Sequence, residues 1–322
     1  MGNFLLLHPK IVPTLLFVFT TLGPTLIIVT SSIPFVVFHG LDDECSSQST
    51  SNFTNSLRNW SGSYGECVEI GNGKWDSWFM PLTEQVDIAC TKIKNISALS
   101  NGYNLVGLSQ GNIIGRSVIE SCDGAPPVKN FISLAGVHAG VASVPFCGST
   151  TICSLVDDLI KFEIYSSFIQ EHLAPSGYVK IPTDIESYLS GCRFLPNANN
   201  EIKSTRNSTY KERFSKVENL VLIMFENDTV LIPKETAHFG YYPDGSFDTI
   251  LPAVQTRLYT EDWIGLKTLN EAGNVTFVNV TGNHLQISGE DMKKYIVPYL
   301  VNSASSLRSA ISWTENQVQF YR

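Results

Sequence analysis

Short apolar runs punctuate the chain, and polar, glycine-bearing segments between them mark where it turns. Ile33-Pro34-Phe35-Val36-Val37-Phe38 is continuously apolar, as a strand buried on both faces would be. Cys67-Val68-Glu69-Ile70 predicts a shorter strand, and Tyr103-Asn104-Leu105-Val106 and Asn130-Phe131-Ile132-Ser133-Leu134 predict two more. Between them the period changes. Residues 82 to 94 place Leu82, Val86, Ala89, Cys90 and Ile93 on one helical face, and a second helix is expected around 112 to 121. From about 139 to 216 the alternation stops. Aromatic and aliphatic clusters there (Phe162, Ile164, Tyr165, Phe168, Ile169, Leu173) predict a largely helical insertion over the C-terminal edge of a sheet. Strand patterning resumes at Leu220 to Phe225 and at Val275 to Val280. A last helix is announced by Ser288 and Asp291 at capping-box spacing, with Tyr295, Ile296 and Leu300 on its apolar face. Strands alternating with helices argue for a mostly parallel sheet covered on both faces.

The ends of the chain read differently. Ile11 to Val29 is mostly apolar and uncharged, follows Lys10, and gives way to the small residues Thr30, Ser31 and Ser32. That is the pattern of a signal peptide spanning residues 1–32, the alternative being an uncleaved anchor; Pro13 and Gly23-Pro24 count against a stable spanning helix. Residues 303–322 are polar and serine-rich, a loose tail, which leaves 33–302 as the folded domain. Seven N-x-[S/T] sequons, at Asn52, Asn59, Asn95, Asn207, Asn227, Asn274 and Asn279, fit a glycosylated luminal or secreted protein. They also offer a reason why only 16% of the 322 residues need be charged. A net charge of -8 with no basic run excludes a nucleic-acid partner. Seven cysteines in an oxidising compartment predict disulfides with one thiol left over. Cys147 and Cys153 flank a short Gly-Ser-Thr loop as a local clip, and Cys90 and Cys122 could join the two helices beside the third strand. No Cys-x-x-Cys occurs and the six histidines are scattered, so neither a metal nor another cofactor is expected.

Gly107-Leu108-Ser109-Gln110-Gly111 sits where the third strand hands over to a helix. A G-x-S-x-G segment in that context is a nucleophile elbow, a strained turn that lifts a serine hydroxyl above the sheet beside a helix N-terminus. A serine hydroxyl is a weak nucleophile and needs a general base, itself held by an acid. In α/β-hydrolases the order is Ser, then Asp or Glu, then His, each just past a strand. Asp228 follows the run ending at Phe225, with Glu226 and Asp248 as alternative acids, and His284 follows the run ending at Val280. His39 precedes the nucleophile and suits an oxyanion loop, while His138, His172 and His238 lack the placement of a base and His8 leaves with the signal peptide. An oxyanion hole needs two aligned N–H donors, which nominates the backbones of Leu41 and Gln110; their side chains should matter little. Asp42-Asp43-Glu44 lacks calcium-loop spacing and reads as solvated loop.

The motifs Val37-Phe38-His39-Gly40-Leu41-Asp42-Asp43, Gly102 to Gly111, Phe225-Glu226-Asn227-Asp228-Thr229-Val230, Leu258 to Lys267 and Gly282-Asn283-His284-Leu285-Gln286 resemble those of palmitoyl-protein thioesterases. The resemblance runs from about Ile33 to Val301. It implies an α/β-hydrolase that removes long-chain acyl groups from cysteine thioesters of lysosomal proteins, with triad Ser109, Asp228 and His284 and oxyanion donors Leu41 and Gln110. It also implies disulfides Cys90–Cys122 and Cys147–Cys153. Where the family has adjacent cysteines, this chain has Cys45-Ser46, so Cys45 must be free or pair elsewhere. Cys67 is its expected partner, leaving Cys192 as the odd thiol.

The expected activity is therefore hydrolysis of palmitoyl groups from S-acylated proteins or peptides. A carboxylester hydrolase or lipase of the same fold is the alternative, and a non-catalytic lipid-binding protein a third reading. The 139–216 insertion is the expected wall of an acyl groove, where burying the chain contributes on the order of 10 kcal/mol gross. Fatty acyl thioesters are the expected partners, with no stable membrane span after signal removal. The expected location is the secretory pathway, with the lysosome or vacuole lumen or the cell exterior as destination.

Overall fold

The apolar runs become a single sheet of six parallel strands. The computed structural model describes residues 32–143 and 163–301. The strands are β1 (Phe35–Phe38), β2 (Gly65–Cys67), β3 (Tyr103–Leu108), β4 (Val128–Leu134), β5 (Asn219–Phe225) and β6 (Val275–Val280), in the spatial order β2-β1-β3-β4-β5-β6. One row of paired residues crosses the whole sheet, from Cys67 through Val37, Val106, Ile132 and Val221 to Thr276. Every residue of β1 and β3 is buried, which requires cover on both faces. The edge strand β6 instead alternates, with Phe277 and Asn279 exposed and Val278 and Val280 inside.

Four helices matter for the site: α1 (Gln48–Ser61), α2 (Lys74–Phe79), α3 (Leu82–Asn95) and α4 (Gln110–Ser121). The apolar stripe predicted over 82–94 is the inner face of α3, with Leu82, Val86, Ala89 and Ile93 buried. The elbow helix begins earlier than expected, immediately after Ser109. β2 also lies earlier than its apolar pattern suggested. Val68 N–H still reaches Val37 O at 2.9 Å, but Glu69 then leaves the ladder to serve the first loop, described below. Neither α1 nor α2 is announced by an apolar stripe; in α1 only Thr50, Thr54 and Leu57 are buried. The last helix, Gly289–Tyr295, is capped as predicted, with Ser288 Oγ accepting from Asp291 N–H at 3.0 Å.

The described part of the insertion is helical, with Ser167–His172, Ile185–Gly191, Leu195–Ala198 and Ser208–Phe214 joined by 3₁₀ turns. Its apolar residues are mostly core: Ile164, Tyr178, Tyr188, Leu195 and Phe214 pack into the same cluster as the sheet. Cys45–Cys67 and Cys90–Cys122 are bonded, as expected, and Cys192 is a buried free thiol that burial pushes up to about 12. Cys147, Cys153, Phe162 and, but for residue 32, the expected signal segment and the expected tail lie outside the described residues.

Candidate active site

Parallel strands present all their C-terminal ends on one edge, and four of them supply the site: β1 leads to His39-Gly40-Leu41, β3 to Ser109, β5 to Asp228 and β6 to His284. Ser109 caps α4 with φ 51° and ψ -120°, the strained conformation of a nucleophile elbow. The two glycines of the motif are required by space. A Cβ on Gly107 would lie 2.1 Å from Asn112 Oδ1, and one on Gly111 would lie 2.4 and 2.5 Å from the carbonyl oxygens of Phe38 and His39. Gly40 also lets the first loop approach, less tightly, since a Cβ there would meet Ser109 Cβ at 3.1 Å.

Asp228 Oδ2 accepts from His284 Nδ1 at 2.6 Å, and His284 Nε2 lies 3.0 Å from Ser109 Oγ. A carboxylate only accepts, so Nδ1 carries the proton and Nε2 is free to accept from the serine hydroxyl. Asp228 Oδ1 is fixed in turn by the N–H groups of Val230 (2.9 Å) and Leu231 (3.1 Å). The acid side chain is 2% exposed and the histidine 10%, so the relay is nearly dry. Of the alternative acids, Glu226 is exposed and accepts from Thr281 Oγ1 at 3.2 Å, and Asp248 is exposed with its own N–H on Ser246 Oγ. Asp228 is the one of the three that meets His284.

The other histidines have structural partners. His138 Nε2 lies 2.8 Å from Ser133 Oγ, and its ring stacks on Phe239; burial, then the nearby Arg116 and His238, hold it well below its ordinary pKa. His238 donates between the carbonyls of Leu222 and Val278, and burial lowers it to about 4 against the pull of those carbonyls. His172 is exposed on Phe168. His39 lies in the first loop as expected, buried, with Nε2 2.8 Å from Glu69 Oε1. Glu69 Oε2 also accepts Cys45 N–H at 2.8 Å, next to the Cys45–Cys67 bond. Burial pushes the Glu69 carboxyl up, but the His39 ring and the N–H groups of Cys45 and Ile70 outweigh it and hold it below its ordinary value. Sequence alone gave no signal for Glu69, because its role depends on leaving β2.

Gln110 opens α4, so its N–H is one of the helix's unpaired donors. Its side chain, expected to be unimportant, is fixed at both ends. Nε2 donates to Ser77 O at 2.8 Å, and Oε1 accepts from Tyr178 OH at 3.0 Å. That side chain is therefore constrained, because it must donate and accept there at once, as an amide does. Ser77 also touches the first loop, its Oγ accepting Asp42 N–H at 2.9 Å. Asp42 follows Leu41 and adopts φ 61°. Among the described residues no group of three His, Cys, Asp or Glu side chains could hold a metal ion. A cavity of about 160 Å³ lies beside the start of α3, between Leu82, Gln170 and Phe194, and includes none of the three relay residues.

A strained serine hydrogen-bonded to a buried histidine–aspartate pair can carry out acyl transfer, and its sequence context narrows the class. The family model for palmitoyl protein thioesterases matches residues 34–284. The chain belongs to the palmitoyl protein thioesterase family. It is 37% identical over 280 residues to palmitoyl-protein thioesterase 1 of Caenorhabditis elegans, covering 83% of this chain and 93% of that protein. It is 37% identical over 235 residues to palmitoyl-protein thioesterase 3 of Dictyostelium discoideum, covering 73% and 78%. A lysosomal thioesterase PPT2 homolog of Drosophila melanogaster is 31% identical over 211 residues, covering 64% and 70%.

Proposed function

We propose that this thioesterase releases long-chain fatty acids, palmitate among them, from S-acylated cysteines of proteins or peptides. Ser109, His284 and Asp228 act as its triad, and Leu41 and Gln110 as its oxyanion donors. The observation that carries this reading is the continuous relay from Asp228 through His284 to Ser109, at 2.6 and 3.0 Å, inside a member of this family.

His284 Nε2 takes the Ser109 proton as Oγ attacks the thioester carbonyl carbon, and the carbonyl pair moves onto oxygen. The N–H groups of Leu41 and Gln110 hold that oxyanion, helped by the positive end of α4. Collapse of the tetrahedral intermediate breaks the C–S bond and expels the cysteine thiolate, leaving an acyl-serine. Thiolate departs readily, so protonation from His284 is less critical at this step than for an amine. The proton on His284 passes to the departing sulfur, which restores the neutral ring; a water deprotonated by His284 then attacks the acyl-serine, and the fatty acid is released as Ser109 regains its proton. Throughout, Asp228 holds the ring tautomer and balances the imidazolium charge.

The helical insertion is the wall we assign to the acyl chain. Residues 1–32 act as a signal peptide, and the mature protein works in the secretory pathway or lysosome. The lysosomal relative and the two disulfides support this setting. Six of the seven sequon asparagines are exposed and Asn274 is half-buried, which is compatible with glycosylation. Rapid-quench mass spectrometry with a palmitoyl-cysteinyl peptide tests the mechanism. An acyl adduct on the peptide containing Ser109 is expected, and turnover without any adduct in wild type or in a deacylation-impaired variant would sink it.

A further inference from the structure

The surface of α2 does not belong to the triad, and it combines features that a core or a solvated helix would not need. Trp75 is 66% exposed and Phe79 44%, and their rings meet at a tilt of 43° with centroids 4.4 Å apart. Exposed aromatics scattered singly are ordinary; a contacting pair lining a groove is not. The groove has a volume of about 660 Å³, and Trp75, Trp78, Phe79, Lys74, Asp42 and Glu44 line it. Trp78 Nε1 donates to Asp42 Oδ1 at 3.0 Å, and Lys74 Nζ lies 3.2 Å from the same oxygen.

The groove's position decides which substrate it can meet. Asp42 is the residue after Leu41, and adjacent Cα atoms are about 3.8 Å apart. Helix α2 is tied to both proposed oxyanion segments through the hydroxyl and the carbonyl of Ser77. The groove therefore begins one residue from the proposed Leu41 donor, within reach of a substituent on a thioester carbonyl held there. One substituent is an alkyl chain and the other a cysteine in a polypeptide. An alkyl chain laid against Asp42, Glu44 and Lys74 would desolvate charges without any partner for them. A polypeptide would not. Two carboxylates face one ammonium, and both carboxylates and aromatic faces attract cations.

We propose that the α2 groove is the docking site for the polypeptide of the acylated substrate, and that it selects a cysteine flanked by Arg or Lys. The inference rests on the thioesterase reading and adds the substrate's leaving side to it. The groove grips the chain flanking the cysteine through stacking on Trp75 and Phe79 and through pairing of a basic side chain with Glu44, while the acyl chain runs the other way.

The test compares kcat and KM on three thioesters: a palmitoyl-cysteinyl peptide with flanking arginines, the same peptide with flanking glutamates, and palmitoyl-N-acetylcysteamine, which has no peptide. Trp75→Ala and Glu44→Gln, both changes at solvent-accessible side chains, should raise KM for the arginine peptide about tenfold, the scale of one cation–aromatic or ionic contact. They should leave KM for palmitoyl-N-acetylcysteamine unchanged and abolish the preference for arginine over glutamate. Equal losses on all three substrates would assign the groove to the acyl chain and overturn the proposal. So would no loss on any, or a loss seen only with substrate embedded in phosphatidylcholine vesicles, which would make the groove a lipid-facing surface. Titration of the deacylated arginine peptide against the full protein keeps the two readings apart. Weaker binding to Trp75→Ala supports docking even if no thioester is turned over, and equal binding refutes docking even if every thioester is.

Discussion

Replacing Ser77 by alanine should slow the reaction without touching a triad residue. Ser77 is 2% exposed, and it joins the two segments assigned to the oxyanion hole: its Oγ accepts Asp42 N–H at 2.9 Å, and its carbonyl accepts Gln110 Nε2 at 2.8 Å. The alanine variant keeps the carbonyl contact and loses the hydroxyl. Asp42 N–H is then left without its acceptor, at a cost of about 1–3 kcal/mol. Asp42 already sits at φ 61°, so the loop gains by relaxing, and Leu41 moves with it. Removing an oxyanion donor outright raises a barrier by about 2.7–4 kcal/mol. Misaligning one should raise it by about 1–2 kcal/mol, or roughly 5- to 30-fold in kcat. KM should hardly change, because the oxyanion exists only after attack. Affinity for a palmityl trifluoromethyl ketone, which presents an oxyanion on binding Ser109, should fall by the same factor as kcat/KM. A variant with wild-type kcat and a lower Tm would show that Ser77 only stabilises α2, and a rise in KM alone would place it in substrate binding.

Other consequences follow from buried groups. Asp228→Asn keeps the hydrogen-bonding shape but favours the wrong His284 tautomer, so kcat should drop by roughly 10⁴-fold with little loss of Tm; a drop below tenfold would point to another acid. Burial pushes Glu120 up to about 8 against the pull of Arg116, whose Nε lies 3.3 Å away. A carboxyl raised in the folded state favours the protonated form, so its contribution is present at acid pH and is lost as pH rises from about 4.5 to about 8. Buried His138 and His238 act oppositely, losing stability as pH falls below 6.5, so the informative quantity is a difference. Wild type should lose Tm relative to Glu120→Gln between pH 5 and pH 8, and parallel curves would refute the assignment. Cys192 should resist iodoacetamide in the native protein and react once unfolded, by peptide mapping; native labelling would contradict its burial.

The parallel sheet was readable because β1, β3, β4 and β5 are buried along most of their length and so carry unbroken apolar runs. The elbow was readable because space forces glycine at 107 and 111. The order of Ser109, Asp228 and His284 followed from the strands, but the choice of Asp228 over Glu226 and Asp248 needed three dimensions. Helix α1 was missed because it buries mainly threonines and one leucine; its remaining signals were the cap at Ser47 and the left-handed Gly62 at its end. Ser77, Glu69 and Tyr178 were missed for a different reason. Each acts through a contact with a residue far away in sequence, and no periodicity encodes that. The side chain of Gln110 was undervalued for the same cause, since its partners lie on α2 and in the insertion.

A matched pair of substrates tests directly whether Ser109 carries thioester hydrolysis. Wild type and Ser109→Ala should be given a palmitoyl-cysteinyl peptide and its palmitoyl-seryl oxyester at equal concentration, and palmitate release followed. Wild type should release palmitate rapidly from the thioester and little from the oxyester, and Ser109→Ala should release none above background. Faster release from the oxyester, or thioester cleavage that survives the loss of Ser109, would contradict this expectation.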